Sequence, residues 1–519
     1  MQSSETAKNM AAKNMGGTLV PRTRAPKVRA STVLFFLTCL GIGILATFYP
    51  MYALGLLIGL AVLGAIWLGL ANLRRTGLEV WQIVLLIPLS GYVLLNYGFE
   101  NISIHLGGVP IIISYLLMFT VLGLAWLSNP GMSRVVRQEP AVFFLSAMFV
   151  LACLHLVVNV PTYGIWAFRD ASMCFDCIFI VLGLLWSRRK VSITPLMKWL
   201  MVILLLNAFY SLTFPWQEKI QAWSPKSGVF LQIPLLGNYR GNYLYLGLGA
   251  LFYLFLSQRV FKWPRWIVLF LAMVQLFGLA ILQARQMYVA LLVIIVLLLL
   301  MGEVKKSGKL VLILGVPITA VVLLTVIGLE IPGRIGPVRT DFFLEHFRSI
   351  SGAEDTPGAK VSGRIEWYQE VFARIRKNPM FGEGFGQPLI TFENDQFGNS
   401  VRQPHNSSAT VLARLGILGL LPWLGLHFYV VKRFLYAYRR RRQLDHRSAD
   451  LNLWLFMLYL VFMISSLVEP AFEFPSAAVP FYFFLGLALG LIRWQIPPMV
   501  KQSVPYRAAP DVAPAMLRV

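Results

Sequence analysis

Residues 286–302 read QMYVALLVIIVLLLLMG, a run that contains no charged side chain. Runs of about 17–25 apolar residues cross the hydrocarbon core of a bilayer, about 30 Å thick, as helices. A helix satisfies its own backbone hydrogen bonds in lipid, and the run lacks the alternation of a barrel strand. We therefore predict a membrane-spanning helix here.

Similar runs recur along the 519 residues, of which 57% are hydrophobic and 13% charged, with a mean hydropathy of +0.67. Soluble domains carry about 25% charged residues. We predict an all-α polytopic membrane protein with about fourteen transmembrane helices (12–14) and one large, partly helical periplasmic loop. The predicted spans are 32–48, 51–72, 79–97, 110–128, 141–160, 171–187, 195–214, 241–257, 264–281, 286–302, 310–329, 409–431, 451–468 and 475–493.

The net charge of +23 raises the question of a nucleic-acid partner. The basic clusters fall on alternate connections between spans, for example Arg188-Arg189-Lys190, Lys305-Lys306 and Arg439–Arg442. Such alternation is typical of cytoplasmic loops under the positive-inside rule. It favours a multi-pass membrane protein without a nucleic-acid partner, with both termini in the cytoplasm and the long loop outside.

These assignments divide the chain into five parts. We predict a basic, disordered cytoplasmic tail, eleven spans, a large outer loop, three further spans and a second cytoplasmic tail. Their limits are 1–31, 32–329, 330–408, 409–493 and 494–519.

Cys174 and Cys177 have the CxxC spacing of some metal sites, but they lie in an apolar span without a second ligand pair. We interpret them as packing residues and predict no metal site.

Arg285 lies between two apolar runs, where a charge is costly unless it snorkels, pairs or faces an aqueous cavity. It is either an interfacial anchor or a clamp for an anionic ligand.

The loop 330–408 contains a predicted amphipathic helix with Ser362 as its N-cap and Pro379 as its stop, and we expect it to lie against either the membrane surface or the helix bundle. Arg364 falls in the first turn, where a cation is unfavourable unless an anion also binds. The alternative is a solvated arginine. The predicted apolar stripe is Ile365, Tyr368, Val371 or Phe372, and Ile375.

The end of the loop contains a glycine-rich stretch, 381–386, and a histidine, His405. We predict that the glycines form a structural turn, because the Lys-Ser/Thr of a nucleotide loop is missing. An imidazole with a pKa near 6.5 can accept a proton from an attacking hydroxyl at neutral pH. His405 is therefore a candidate general base, and a structural histidine is the alternative.

Four stretches together resemble the O-antigen ligase superfamily, which includes O-antigen ligases, O-antigen and exopolysaccharide polymerases and protein O-oligosaccharyltransferases. They are SGRIEW at 362–367, NPMFGEGFG at 378–386, His405-Asn406, and RLGILG at 414–419. The stretch LQARQMY at 282–288 is similar to a further motif of the family, with Ala284 in place of the usual Ser or Thr. The resemblance covers about 280–420.

This resemblance implies a metal-independent, inverting glycosyltransferase in the bacterial inner membrane, with no cofactor and its active face in the periplasm. The implied donor is a glycan on undecaprenyl diphosphate. The implied acceptor is a hydroxyl on lipid A-core or on a second lipid-linked glycan, and membrane lipid surrounds the protein.

The resemblance also assigns roles to individual residues. Arg285 and Arg364 are expected to hold the diphosphate and His405 to activate the acceptor hydroxyl, with Asn406 orienting the histidine. Arg240 and Arg169 are further candidates for the same anionic pocket.

Other classes remain open. A transporter or flippase of lipid-linked glycan, or of a small anion, should show charges deep in its spans, broken helices and related halves. A structural scaffold needs neither Arg285 nor His405. Ligase and polymerase differ only in the acceptor, so the sequence does not separate them.

Overall fold

The structure is a computed structural model that describes 77–106, 109–228, 232–239, 241–257, 263–341, 344–345, 361–391, 402–440 and 446–495. Helices dominate these residues, as the fold class predicted. The expectations for the tail 1–31, the spans 32–48 and 51–72, and 496–519 lie outside the described residues.

The first part of the described chain consists of apolar helices and one short hairpin, in which Ser103 pairs with Ile112. Its elements are α1 Val80–Leu94, α2 Tyr97–Glu100, β1 Ser103–Leu106, β2 Val109–Ile112, α3 Ile113–Ser128, α4 Met132–Arg137, α5 Pro140–Tyr163, α6 Ile165–Phe175, α7 Ile180–Ser187 and α8 Lys190–Leu212.

The second part adds a two-residue ribbon, in which Lys226 pairs with Pro234, and the remaining helices. Its elements are α9 Gln217–Trp223, β3 Lys226–Ser227, β4 Ile233–Pro234, α10 Asn242–Phe255, α11 Arg265–Leu282, α12 Arg285–Leu300, α13 Val304–Val326, α14 Val361–Lys377, α15 Ser407–Arg439, α16 His446–Ser466 and α17 Pro475–Gln495.

Seven helices in the described part of the chain are long and apolar enough to cross a membrane, by length and composition. They are α5, α8, α11, α13, α15, α16 and α17. The helices α1, α3, α10 and α12 are apolar but shorter. The predicted total of fourteen spans is therefore not confirmed and stays a prediction.

The predicted span 171–187 is not one helix. The helix α6 ends at Phe175, a 3-10 turn covers Asp176–Phe179, and α7 begins at Ile180. Asp176 is fully buried at this break. The connection 161–170 between the predicted spans 141–160 and 171–187 is also helical, since α5 and α6 meet at Gly164.

The helices α7 and α17 cross at a very short distance. A Cβ atom on Gly183 would lie 1.9 Å from the carbonyl oxygen of Phe483, and one on Gly486 would lie 2.0 Å from that of Ile180. Small residues permit such close backbone packing between helices in membranes. This crossing therefore depends on glycine at both positions.

Connections between helices meet at two ends. At one, the basic end, Lys306 Nζ lies 2.8 Å from Asp450 Oδ1 and Arg447 Nη2 donates to Thr194 Oγ1 at 2.8 Å. At the other, the loop end, Glu100 accepts from the backbone N–H of Ser476 at 2.8 Å. Described residues of the long loop lie at the same end, since Phe385 donates to Asn159 at the end of α5 and Ser407, at the end of the loop, donates to Glu473.

Candidate functional site

His405 precedes helix α15 in a backbone conformation that is unusual for a residue with a side chain. Its φ is +52°, in the left-handed region. The next residue, Asn406, caps α15, because its side-chain oxygen accepts the backbone N–H of Ala409 at 3.0 Å. The structure thus gives Asn406 a capping role, and its predicted role in orienting His405 stays a prediction.

The ring of His405 stacks on Trp367 of helix α14. The ring centroids lie 5.1 Å apart and the planes differ by 25°. Arg364 lies three residues before Trp367, so α14 brings its backbone within one helical turn of the residue that contacts His405. The side chain of Arg364 lies outside the described part of the structure.

The helix α14 confirms the predicted amphipathic helix, although it begins at Val361 and therefore includes Ser362 instead of being capped by it. Its predicted stripe is partly wrong. The buried side consists of Val371 with Trp367 and Ile375, which pack on Leu389, Ile390 and Ala413, while Ile365 and Phe372 are exposed.

The glycine-rich stretch forms the predicted structural turn, with φ of +74° at Gly382, +74° at Gly384 and +103° at Gly386. The backbone N–H of Glu383 donates to Ala413 at 2.8 Å and that of Gly384 to Arg414 at 2.9 Å. These carbonyl oxygens are available because α15 is kinked at Gly416, which has a φ of +62°.

Helix α5 supports the other side of this turn. The Asn159 side chain accepts the backbone N–H of Phe385 at 3.1 Å, and a Cβ atom on Gly384 would lie 2.1 Å from its oxygen. The Phe385 ring also meets that of His155, with centroids 6.1 Å apart. The turn is therefore held between two long helices.

Asp170 is the centre of a buried ion-pair cluster. Its carboxylate accepts from Arg402 Nε at 2.9 Å and Nη2 at 2.6 Å, and from the backbone N–H of Gly386 at 3.1 Å. Arg414 Nη2 lies 3.0 Å from the same carboxylate. Burial opposes ionisation, but Arg414 and Arg402 outweigh it and hold the pKa of Asp170 below its usual range.

Arg414 serves the fold of the loop. It is 1% exposed and donates to the carbonyl oxygens of Gly384 at 3.1 Å, Gln387 at 2.6 Å and Arg402 at 3.1 Å. From the sequence, Arg414 was identified only as part of a motif, and Arg402 was not predicted to have a role. The signal in the sequence was that Arg414 lies near the start of an apolar helix, where a charged side chain needs partners.

Arg169 lies beside this cluster. Its guanidinium carbon is 5.1 Å from the centroid of the Trp166 ring, and that of Arg402 is 4.5 Å from the same centroid. Trp166 therefore packs two cations at the loop end. The predicted contribution of Arg169 to an anionic pocket stays a prediction.

Glu473, in the connection between α16 and α17, was not predicted from the sequence. It accepts the hydroxyl of Ser407, the residue that begins α15, at 2.6 Å. Burial raises the pKa of its carboxyl. The next residue, Phe474, meets the ring of Tyr97 with centroids 5.6 Å apart. These contacts join the connection after α16 to the His405 region and to α2.

Arg285 is the first residue of α12, after a short turn that connects the predicted spans 264–281 and 286–302. In that turn Gln283 has a φ of +48°, and its side chain accepts the backbone N–H groups of Ile335 at 2.7 Å and Gly336 at 3.1 Å. The described contacts of the turn thus reach the start of the long loop, and Arg285 itself is half-buried.

Arg240 lies outside the described residues, but its neighbours are described. The Tyr239 ring stacks on Tyr210 with centroids 4.9 Å apart. On the other side, a Cβ atom on Gly241 would lie 2.6 Å from the Asn96 side chain. The described residues on both sides of Arg240 are therefore packed against the protein, and the predicted role of Arg240 stays a prediction.

Among the described residues, three that are not glycine have a positive φ: Asn96, Gln283 and His405. Asn96 packs on the glycine after Arg240, and Gln283 lies two residues before Arg285. Such conformations cost about 1–3 kcal/mol each and concentrate at functional sites. Each of the three positions is therefore a candidate residue predicted from the sequence, as His405 is, or lies near one, as Gln283 and Asn96 do.

Comparison with known proteins agrees with this concentration of features. The family model for O-antigen ligase matches residues 270–424, which include Arg285, Arg364 and His405. Among curated proteins, none matches the chain. The segment 270–424, with its arginines, its histidine and its glycine turn, thus belongs to the O-antigen ligase superfamily.

Proposed function

We propose that this membrane protein is a glycosyltransferase that moves a glycan en bloc from undecaprenyl diphosphate to an acceptor hydroxyl at the periplasmic face of the inner membrane. The observation that carries the proposal is the stack of His405 on Trp367, one helical turn from Arg364, within the matched segment. A strained, stacked imidazole beside an arginine-bearing helix suits acid–base chemistry on an anionic substrate.

In this proposal His405 is the general base. Its ring takes the proton of the acceptor hydroxyl as that oxygen attacks the anomeric carbon of the donor sugar. The bond from the anomeric carbon to the diphosphate oxygen breaks, and its electron pair leaves with undecaprenyl diphosphate. A single displacement of this kind inverts the anomeric configuration, in line with the family resemblance.

The leaving diphosphate needs positive charge. Arg364 and Arg285 supply it in this proposal, with Arg169 and Arg240 at the same pocket, because guanidinium groups stay charged and bind phosphate oxygens bidentately. Arg402 and Arg414 are given no such role in this proposal, since both already bind Asp170 and backbone carbonyl groups. The resemblance implies transfer without a metal or other cofactor.

The acceptor is the hydroxyl of lipid A-core for a ligase, or of a second lipid-linked glycan for a polymerase. Deletion of the gene followed by gel analysis of surface polysaccharide separates the two. Loss of glycan from the core, with lipid-linked polymer accumulating, indicates a ligase. Glycan present only as single repeats indicates a polymerase.

A transporter or flippase remains the alternative. The break at Asp176–Phe179 and the buried Asp176 are features of that class. The family match favours transfer, because it covers the segment with Arg285, Arg364 and His405. A structural scaffold would tolerate substitution of these three residues.

The test is glycan transfer by the purified protein in proteoliposomes with lipid-linked donor and acceptor. His405→Ala, Arg364→Ala and Arg285→Ala are each expected to abolish most of the transfer, with unchanged expression and elution on gel filtration. The matched controls are His446→Ala, an exposed histidine at the basic end, and Arg265→Ala, the exposed first residue of α11. Full turnover by His405→Ala would refute the assigned base.

A further inference from the structure

Helix α14 has a second apolar side, which is exposed among the residues that the structure describes. Ile365 is 55% and Phe372 50% exposed, whereas Val371 on the buried side is fully covered. At 100° per residue, Ile365 and Phe372 fall on the same side of the helix, together with Arg376. Ala373 and Glu366 lie on the neighbouring side of the helix, which is also exposed but less apolar.

The turn after α14 extends this apolar side. Met380 is 49% and Phe381 61% exposed. Arg374 donates to Glu383 of the turn at 2.9 Å and to Glu370 of α14 at 2.9 Å. These ion pairs join the helix to the turn, so Phe372 and Phe381 belong to one connected unit.

This unit is hydrogen-bonded to α15 just after the kink at Gly416. The backbone N–H of Ile417 donates to Pro379 at 2.9 Å, and that of Leu418 donates to Met380 at 3.2 Å. Met380 and Phe381 therefore lie at the level where the apolar part of α15 that follows the kink begins.

After the kink, α15 has its own exposed apolar stripe. Ile417, Leu421, Leu424 and Phe428 recur at helical spacing and are all exposed in a helix that is a candidate membrane span. Such a stripe faces lipid in a spanning helix. The turn after α14 bonds to the backbone at Ile417 and Leu418, so its exposed side chains lie near the start of this stripe.

Exposed cations adjoin the same side chains. Arg376 and Lys377 end α14, and Arg376 Nε contacts the carbonyl oxygen of Phe372 at 3.4 Å. Apolar side chains flanked by Lys and Arg are typical of helices that lie in the membrane interface, where the cations meet lipid phosphates.

We propose that Ile365, Phe372, Met380 and Phe381, here called the α14 wedge, insert into the lipid bilayer beside α15, with Arg376 and Lys377 at the headgroups. The wedge holds α14 at a fixed depth. Because Trp367 of the same helix stacks on His405, the wedge also sets the height of the imidazole relative to the headgroup layer. This last consequence rests on the proposed function, whereas the insertion itself does not.

The test uses nitroxide spin labels on the full-length chain, with its four cysteines replaced by alanine, in vesicles of phosphatidylethanolamine and phosphatidylglycerol. Labels are placed at Phe381→Cys and Phe372→Cys, and Ala373→Cys is the matched control on the neighbouring side of α14. At positions 372 and 381, collisions with oxygen are expected to exceed those with a water-soluble nickel complex. At position 373 the order is expected to reverse.

Nickel collisions as frequent at 372 and 381 as at 373 would overturn the proposal. Dipolar coupling between labels at 381 on two molecules would also overturn it, since the wedge would then be an interface between copies of this chain. Gel filtration before reconstitution identifies variants that fail to fold. For these, Met380→Cys provides a second position with the same expected result. Loss of glycan transfer alone leaves the depth measurement unaffected, so the two proposals fail separately.

Discussion

At the residue scale, two carboxyl groups at the loop end show opposite responses to their surroundings. Asp170 is buried between two guanidinium groups, which hold its pKa below the usual range. Glu473 is buried against hydroxyl groups, and burial raises its pKa. The same chemical group is therefore stabilised as a carboxylate at one position and destabilised as a carboxylate at the other.

Asp170→Asn should be strongly destabilising. It leaves Arg402 and Arg414 buried with less compensation, and breaking a buried ion pair costs about 3–5 kcal/mol. Because the folded pKa is lowered, the carboxylate contributes its full stability above the ordinary aspartate value near 3.8 and loses it as the pH falls through the folded pKa. Thermal unfolding in detergent at pH 7, 5 and 3 measures this.

The difference in unfolding temperature between wild type and Asp170→Asn should be equal at pH 7 and 5 and smaller at pH 3. Asp341→Asn is the control, because the ion pair of Asp341 with Arg339 is exposed and should be worth less than about 1 kcal/mol. Equal effects of the two substitutions would contradict the buried pairing.

Glu473→Gln should stabilise the protein at high pH, in contrast to Asp170→Asn, which destabilises it. The raised pKa means that the protonated form is favoured in the fold, so wild-type stability is full below the ordinary glutamate value near 4.5 and falls as the pH rises through the folded pKa. Glutamine keeps an acceptor for the Ser407 hydroxyl. The variant should equal wild type at pH 4 and unfold at a higher temperature at pH 8. A lower unfolding temperature at pH 8 would count against this reading.

At the element scale, the glycine turn is the most constrained feature of the loop. Gly384→Ala should lower the unfolding free energy by about 2 kcal/mol, because a left-handed φ costs about 1–2 kcal/mol and the new Cβ atom meets Asn159 at 2.1 Å. Gly123→Ala, in α3, is the control, since nothing lies within 4 Å of its Cβ position. Chemical unfolding followed by circular dichroism measures both. Equal effects would show that the turn is not strained.

Helix α14 illustrates what the sequence could and could not predict. The spacing of its apolar residues and Pro379 gave the helix and its end within a residue or two. The buried side was only partly predicted, because Ile365 and Phe372 have the same spacing and hydrophobicity as the residues that pack. Which side is covered depends on Leu389, Ile390 and Ala413, and no local pattern specifies those contacts.

The partners of the charged side chains could not be predicted from the sequence either. Asp170 and Arg402 are 232 positions apart in sequence, and a single sequence does not reveal that they meet. The candidate residues Arg285, Arg364 and His405 were found because their motifs are local. Arg402 and Glu473 have no such motif, and only the fold brings them to the site.

At the scale of the whole molecule, apolar run length predicted the helices well and their continuity less well. The twelve predicted spans from 79–97 onward each overlap a helix. The run 171–187 is nevertheless broken at Asp176, since an apolar run can contain a 3-10 turn without any change in composition. Close packing of α7 on α17 at Gly183 and Gly486 covers this broken segment.

The sidedness of the two ends gives the last prediction. Basic residues such as Lys305 lie at the basic end, and Thr391 of the long loop lies at the loop end with α14. The positive-inside rule then puts Lys305 in the cytoplasm and Thr391 outside. In a variant without its native cysteines, Thr391→Cys should react with a membrane-impermeant maleimide in cells whose outer membrane is permeabilised, whereas Lys305→Cys should react only after the inner membrane is opened. The reverse pattern would place His405 on the cytoplasmic face. It would thereby remove the proposed reaction with a donor presented outside.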